Sequence, residues 1–168
     1  MTEQRDFRIA RTPENQADYP QLFFDIEKAL WGPTGTDADK IYVAQGTPGM
    51  RALFVMTLFA RLVDNGGLVG FFESSSFYSR EVTEALALFE FPEMQQSFAE
   101  GLAVLCKGES APEDEKTGRR MLGSLSEAEI RKLGEITKRM YAGTGVEDRL
   151  FNYFKSYVDA HPSEFFKD

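Results

Sequence analysis

Few residues of this 168-residue chain could support nucleophilic catalysis. It holds one histidine, His161, and one cysteine, Cys106. Ser-His-Asp and Cys-His arrangements both need a histidine beside the nucleophile, but His161 precedes a proline near the C-terminus, far in sequence from Cys106. We predict a structural or solvent-exposed His161, and a Cys106 that is a small core residue. The sequence therefore predicts no catalytic residue.

The candidate residues for metal binding or for acid–base catalysis are all carboxylates. The 27 Asp and Glu residues are accompanied by no HExxH or CxxC spacing. Asp37 and Asp39 form a D-x-D pair, but the remaining ligands of an EF-hand are missing. We expect no metal ion and no cofactor. A glycosidase-like pair of acids stays open, because its two members can come from any part of a chain.

Two glycine-rich stretches, residues 46–49 and Gly66-Gly67, could cradle a phosphate at a helix N-terminus. Neither belongs to a G-x-x-x-x-G-K-[ST] or G-x-G-x-x-G pattern. We interpret Asn65-Gly66-Gly67 as a structural turn, in which glycine supplies the left-handed conformation that ends a helix. Gly66→Val should then cost roughly 1–2 kcal/mol through the forced backbone conformation.

Hydrophobic periodicity assigns these residues to an all-α fold. Residues 1–17 predict a loosely ordered arm, and residues 18–168 predict a single compact domain of six or seven helices. The most apolar run begins with Thr47 as N-cap and continues to Val63, so we expect the central helix here. Residues 36–46 are ambiguous, and residues 107–120 predict an exposed loop. The other predicted helices are 18–31, a short piece at 68–72, 79–89, 94–105, one from the Ser126/Glu129 capping box to Gly143, and 146–160.

The net charge of −8 is spread evenly between the two halves of the chain. Such a chain lacks the cationic footprint with which proteins neutralise nucleic-acid phosphates, and an anionic membrane surface is disfavoured for the same reason. Basic partners would be steered toward it. The N-terminus has no apolar segment typical of a signal peptide, and we expect no run long enough to cross a bilayer. These features predict a cytoplasmic protein.

One stretch resembles a known family. The sequence RLVDNGGLVGFFESSSFY, residues 61–78, is similar to a signature of the bacterial DNA-mimic protein family, a group of acidic all-helical proteins. The resemblance implies an all-α fold, a homodimer, and carboxylates that imitate DNA phosphates. It also implies a partner that binds DNA, such as a helix-turn-helix transcription regulator. The matching residues, in order, are Val63, Asn65, Gly66, Gly67, Phe71 and Phe72.

Our first hypothesis is therefore a non-enzymatic acidic interaction domain, which as a DNA mimic would sequester a DNA-binding regulator. One alternative is an immunity-type protein that neutralises a partner protein. Another is a small-molecule binder or hydrolase that uses carboxylates in a helical pocket. The candidate partner-binding acids are Glu113, Asp114, Glu115, Glu127, Glu147 and Asp148.

Overall fold

The computed structural model describes residues 6–17, 19–30, 45–141 and 143–167. The predicted all-α fold is confirmed, and outside the predicted arm seven α-helices lie in these described ranges. The Asp37/Asp39 pair, Asp18 and residues 36–44 of the ambiguous segment lie outside them. The helices are α1 (Pro13–Ala17), α2 (Tyr19–Leu30), α3 (Pro48–Ser75), α4 (Ser79–Leu88), α5 (Pro92–Cys106), α6 (Glu115–Gly123), α7 (Glu127–Tyr141) and α8 (Val146–Ala160).

Contacts divide the chain into two compact units, which we name by their position in the sequence. The terminal unit comprises residues 1–54 and 151–168, and the central unit comprises residues 55–150. Helices α3 and α8 each contribute to both units. The single domain predicted for residues 18–168 stays a prediction.

In the terminal unit, the segment predicted as a loose arm carries regular structure from residue 9 onward. Strand β1 (Ile9–Ala10) pairs in parallel with β2 (Phe166–Lys167) near the opposite end of the chain. Asn15 is buried and fixes the turn before α1, since its side chain donates to the carbonyl of Ala10 and accepts from the N–H of Thr12. The described part of the arm is therefore tied to the fold by the strand pairing and by the buried side chain of Asn15.

The C-terminal segment of this unit also closes the start of α3. Thr47 caps the helix as predicted, accepting a hydrogen bond from the N–H of Met50 at 3.3 Å. The carboxylate of Glu164 accepts from the N–H of Gly49 and from the hydroxyl of Tyr157. Burial and the hydrogen bond to Glu164 raise the pKa of Tyr157 to about 12. His161 is exposed, as predicted, and stacks on the ring of Tyr157 at 4.3 Å.

In the central unit, α3 supplies the apolar helix that the sequence predicts. Buried aromatic rings form much of the core beside it. The ring centroid of Phe59 lies 5.0 Å from that of Phe71 and 5.1 Å from that of Phe98, in edge-to-face geometry. Such pairs add to the stabilisation that comes from burying their area. Cys106 is buried as predicted, and burial raises the pKa of its thiol.

The stretch Pro48–Leu88 corrects our expectation about membrane-spanning runs. By length and composition it could cross a bilayer, with a mean hydropathy of 1.4 in its best window. Half of that window is buried inside the fold, and a core helix of a soluble protein can have the same length and hydropathy. The stretch is also interrupted, by Gly67 and by a 3₁₀ turn at Ser76–Tyr78. Its apolar character is explained by core packing.

Residues 107–120 are only partly the loop that we predicted. Helix α6 begins at Glu115, where Asp114 is its N-cap and accepts from the N–H of Thr117 at 2.7 Å. Helix α7 begins at the predicted capping box: the N–H of Ser126 donates to Glu129 at 2.7 Å, and the N–H of Glu129 donates to Ser126. The local cap residues thus decide where both helices start.

The capping box contributes stability that is expected to be lost at acid pH. The bond from the N–H of Ser126, then the hydrogen bond from Lys107, lower the pKa of Glu129 to about 2. A lowered folded-state pKa contributes stability that is present above the ordinary value and lost as pH falls toward the folded value. We expect Glu129→Gln to be less stable than the parent chain at pH 6, and the difference to shrink between pH 4.5 and 2. Urea unfolding followed by circular dichroism at several pH values measures this; a difference independent of pH would contradict it.

Candidate functional site

The glycine turn at residues 65–67 is a corner inside α3. Gly67 has φ 66° and ψ −168°, a conformation that is essentially restricted to glycine. Helical structure resumes at once, since the N–H of Leu68 donates to the hydroxyl of Thr137 at 3.0 Å. That hydroxyl in turn donates to the carbonyl of Leu133 at 2.8 Å. A side chain of α7 therefore caps the second half of α3.

The structure corrects which glycine forms the corner. Gly66 is exposed and keeps helical dihedral angles, and a Cβ atom built on it meets no heavy atom within 4 Å. A Cβ atom on Gly67 would lie 3.1 Å from the hydroxyl oxygen of Thr137. The backbone cost that we predicted for Gly66→Val is therefore wrong and belongs to Gly67. Sequence reasoning could not separate two adjacent glycines, because the choice depends on Thr137.

Asp64, directly before this corner, holds the start of α8. Its carboxylate accepts hydrogen bonds from the N–H groups of Val146 at 2.8 Å and Glu147 at 3.1 Å. The hydroxyl of Tyr141 donates to the carbonyl of Val63 at 2.6 Å. Burial and the nearby charge of Asp64 raise the pKa of Tyr141. The stretch 61–78, which carries the family resemblance, thus joins α3, α7 and the first turn of α8. Its two phenylalanines, Phe71 and Phe72, are fully buried in the core.

Removing the Asp64 cap is expected to destabilise the fold. Asp64→Ala leaves two N–H groups of α8 without their acceptor, and loss of such a cap costs about 1–2 kcal/mol. The matched control is Asp148→Ala, which removes an exposed carboxylate from the same helical turn and should cost less. Urea unfolding measures both. Equal effects of the two substitutions would show that Asp64 acts by charge alone.

The six acids predicted to bind a partner occupy three places on the central unit. Glu113, Asp114 and Glu115 lie at the start of α6, Glu127 lies at the start of α7, and Glu147 and Asp148 lie at the start of α8. Arg119 pairs with Glu115 at 2.6 Å, and Arg131 lies 4.0 Å from Glu127. For Glu147 and Asp148 the described residues supply no ion pair.

The acidic group at the start of α6 is joined electrostatically by acids of α4, which were not among the predicted partner-binding residues. The guanidinium of Arg80 bonds the carboxylate of Glu84 at 3.0 Å. The pKa of Arg80 is raised by that hydrogen bond first, then by the charge of Glu84, and also by the charges of Glu81 and Glu113. We call Glu81, Glu84 and Glu113 the acidic corner. Glu84 thus pairs with Arg80 one helical turn along α4, and the charges of Glu81 and Glu113 act on the same guanidinium.

Close packing positions the acidic corner. A Cβ atom on Gly118 would lie 1.8 Å from the hydroxyl oxygen of Ser76, so α6 approaches the 3₁₀ turn before α4 more closely than any other residue would allow. One oxygen of Glu81 is buried and accepts no hydrogen bond from the described residues. The sequence signal for this arrangement was slight, since the helical pair Arg80–Glu84 is visible in it but the approach at Gly118 is not.

The geometry of the acidic corner offers charge recognition. Cys106 is buried in α5, and His161 is exposed directly after the end of α8. Within the described ranges no group of three or more His, Cys, Asp and Glu side chains could hold a metal ion. Exposed carboxylates set around an arginine recognise cationic groups.

Comparison with known proteins assigns the family. The model of the family described as DMP19-like protein matches residues 44–161, more than two-thirds of the chain. The chain belongs to the DMP19-like family. The matched range contains all of α3 to α8, and with them the corner at Gly67 and the acidic corner, whereas β1 and β2 lie outside it. No curated protein and no solved structure matches the chain.

Proposed function

We propose that this DMP19-like protein is a non-enzymatic interaction protein whose carboxylates imitate DNA phosphates and bind a DNA-binding regulator. Membership of the DMP19-like family supports this proposal, since the family that the sequence resembles is one of DNA mimics. The acidic corner is the observation that carries it. There the protein already holds a guanidinium in the way that a DNA phosphate would hold one, because arginine pairs with carboxylate and phosphate through the same fork of donors.

Arg80 occupies the position that a partner's arginine would take. Its side chain is 85% exposed and that of Glu84 is 63% exposed, so the pair stands in solvent. Exposed pairs of this kind contribute little to stability, so an incoming guanidinium can displace Arg80 at small cost.

The rest of the central unit supplies the field around this position. Residues 55–150 contain sixteen acidic and eleven basic side chains. Glu127, Glu147 and Asp148 lie on the first turns of α7 and α8. The negative electrostatic potential that this excess of acids produces speeds encounter with a basic surface. The effect weakens with added salt.

The test compares two variants of equal net charge. One carries Glu81→Gln, Glu84→Gln and Glu113→Gln, and the control carries Glu90→Gln, Glu100→Gln and Glu135→Gln. Partners captured on the purified chain are identified, and their affinities for both variants are measured at several salt concentrations. We expect the acidic-corner variant to bind at least about tenfold more weakly than the control. Equal losses would indicate net charge without a site, and affinity independent of salt would refute electrostatic mimicry.

The same capture experiment separates the immunity-type alternative. A partner that is a toxin or enzyme without affinity for DNA would favour that alternative over mimicry. The homodimer implied by the family resemblance stays a prediction, and sedimentation equilibrium of the purified protein tests it.

A further inference from the structure

A cavity in the terminal unit is lined by both apolar and charged side chains. Its volume is about 160 Å³. Leu22, Val158, Pro162 and Phe166 supply apolar walls, and Arg11 is among its polar residues. Space of this size accepts a compact apolar group.

An open groove of about 530 Å³ adjoins the cavity. The two share Arg11, Pro162 and Phe166, and the groove adds Ser163 and Lys167. Its described lining residues include two cations, Arg11 and Lys167, and the hydroxyl of Ser163; Lys167 also lies 3.9 Å from the carboxylate of Asp6. In a chain with net charge −8 this is a local cationic surface, and it attracts the opposite kind of ligand to the acidic corner.

Arg11 is held in place at the boundary of cavity and groove. Its guanidinium lies 4.9 Å from the centre of the Phe166 ring, a cation–π arrangement that leaves the edge of the guanidinium available for hydrogen bonds. Among the described residues no carboxylate forms an ion pair with it. A guanidinium fixed on an aromatic face with its donors unused is suited to a planar carboxylate.

We propose that this cleft binds a small organic carboxylate with a compact apolar body. The carboxylate contacts Arg11 at the groove, and the apolar body packs in the cavity against Pro162 and Phe166. This inference is independent of the proposed DNA mimicry, since it uses none of the residues of the acidic corner.

The probes are three compounds that separate charge from shape. 4-Methylpentanoate carries both features, 4-methylpentanamide keeps the shape without the charge, and inorganic phosphate keeps negative charge without the apolar body. Each is titrated into the full chain, and amide chemical shifts are followed by NMR. We expect 4-methylpentanoate to bind at least about tenfold more tightly than either of the others, with the largest shifts at residues around Arg11 and Phe166.

The matched variants are Arg11→Gln and Arg8→Gln. Arg8 is a cation three residues away that pairs with Asp6 at 3.0 Å and does not line the cavity. Arg11→Gln should lower the affinity for 4-methylpentanoate about tenfold or more, whereas Arg8→Gln should leave it within about twofold. The spectra of the variants show whether the fold is retained. Equal binding of amide and carboxylate, equal binding of phosphate, no binding of 4-methylpentanoate, or equal effects of the two variants would each overturn the proposal.

Discussion

Replacing Gly67 by alanine is expected to lower the free energy of unfolding by about 1–3 kcal/mol. The φ of 66° with ψ −168° places Gly67 where an L-residue pays this backbone cost. The added methyl group would also press on Thr137, whose hydroxyl oxygen lies 3.1 Å from the position of the new atom. Thr137 caps the second half of α3, so the same substitution disturbs the hydrogen bond to Leu68.

The neighbouring glycine supplies the control. Gly66→Ala adds the same methyl group at an exposed helical position with open space around it. It should raise stability by up to about 1 kcal/mol, because alanine favours the helix. Thermal and urea unfolding of the two variants measure the difference. Equal destabilisation by both would mean that the corner spans both residues and that our assignment to Gly67 is wrong.

Gly49→Ala is expected to destabilise the protein by at least about 2 kcal/mol. A Cβ atom there would lie 2.5 Å from the ring of Phe165, 2.7 Å from the carboxylate of Glu164 and 2.8 Å from the ring of Tyr157. These side chains belong to the C-terminal segment that closes the start of α3. Their displacement would break the hydrogen bond that Gly49 donates to Glu164.

A helical glycine in open space is the reference for this substitution. Gly134 in α7 has no heavy atom within 4 Å of a built Cβ, so Gly134→Ala should be neutral or stabilising. Differential scanning calorimetry of both variants gives the comparison. An unchanged melting temperature for Gly49→Ala would contradict the close packing at the start of α3.

The helices were predictable where local chemistry decides them. Helix α8 begins and ends where the sequence placed it, the capping box at Ser126 and Glu129 forms as expected, and Thr47 caps α3. The start of α6 inside a polar stretch was missed, because its polar composition concealed a helix whose cap is Asp114. Propensity and capping are local properties, and a single sequence displays them directly.

The contacts that give these residues their roles were not predictable. Asp64 reads as one acid of a turn, yet it caps a helix more than eighty residues later. The acidic corner depends on α6 approaching Ser76 at Gly118, which no periodicity encodes. Six acids were predicted to bind a partner, and of these Glu113 alone contributes its charge to the raised pKa of Arg80. The role of Asp64 and the position of the acidic corner both depend on contacts between residues that are far apart in the sequence.

Within the DMP19-like match, the proposed partner site is distinct from the stretch that carries the family resemblance. The phrase that carries the family resemblance is structural, since Asp64, Gly67 and Leu68 join helices and the two phenylalanines are buried. The carboxylates of the proposed partner site lie elsewhere, on α4 and at the start of α6. Substitutions in the phrase should therefore change stability first, whereas substitutions in the acidic corner should change binding without changing the fold.

The most direct test of mimicry is competition between this protein and duplex DNA for one regulator. A regulator captured by the protein is bound to its fluorescently labelled operator, and the purified protein is added while fluorescence anisotropy is recorded. Mimicry predicts complete release of the DNA, with a requirement for Glu81, Glu84 and Glu113, and weaker competition at higher salt. A stable ternary complex of regulator, DNA and this protein would contradict it.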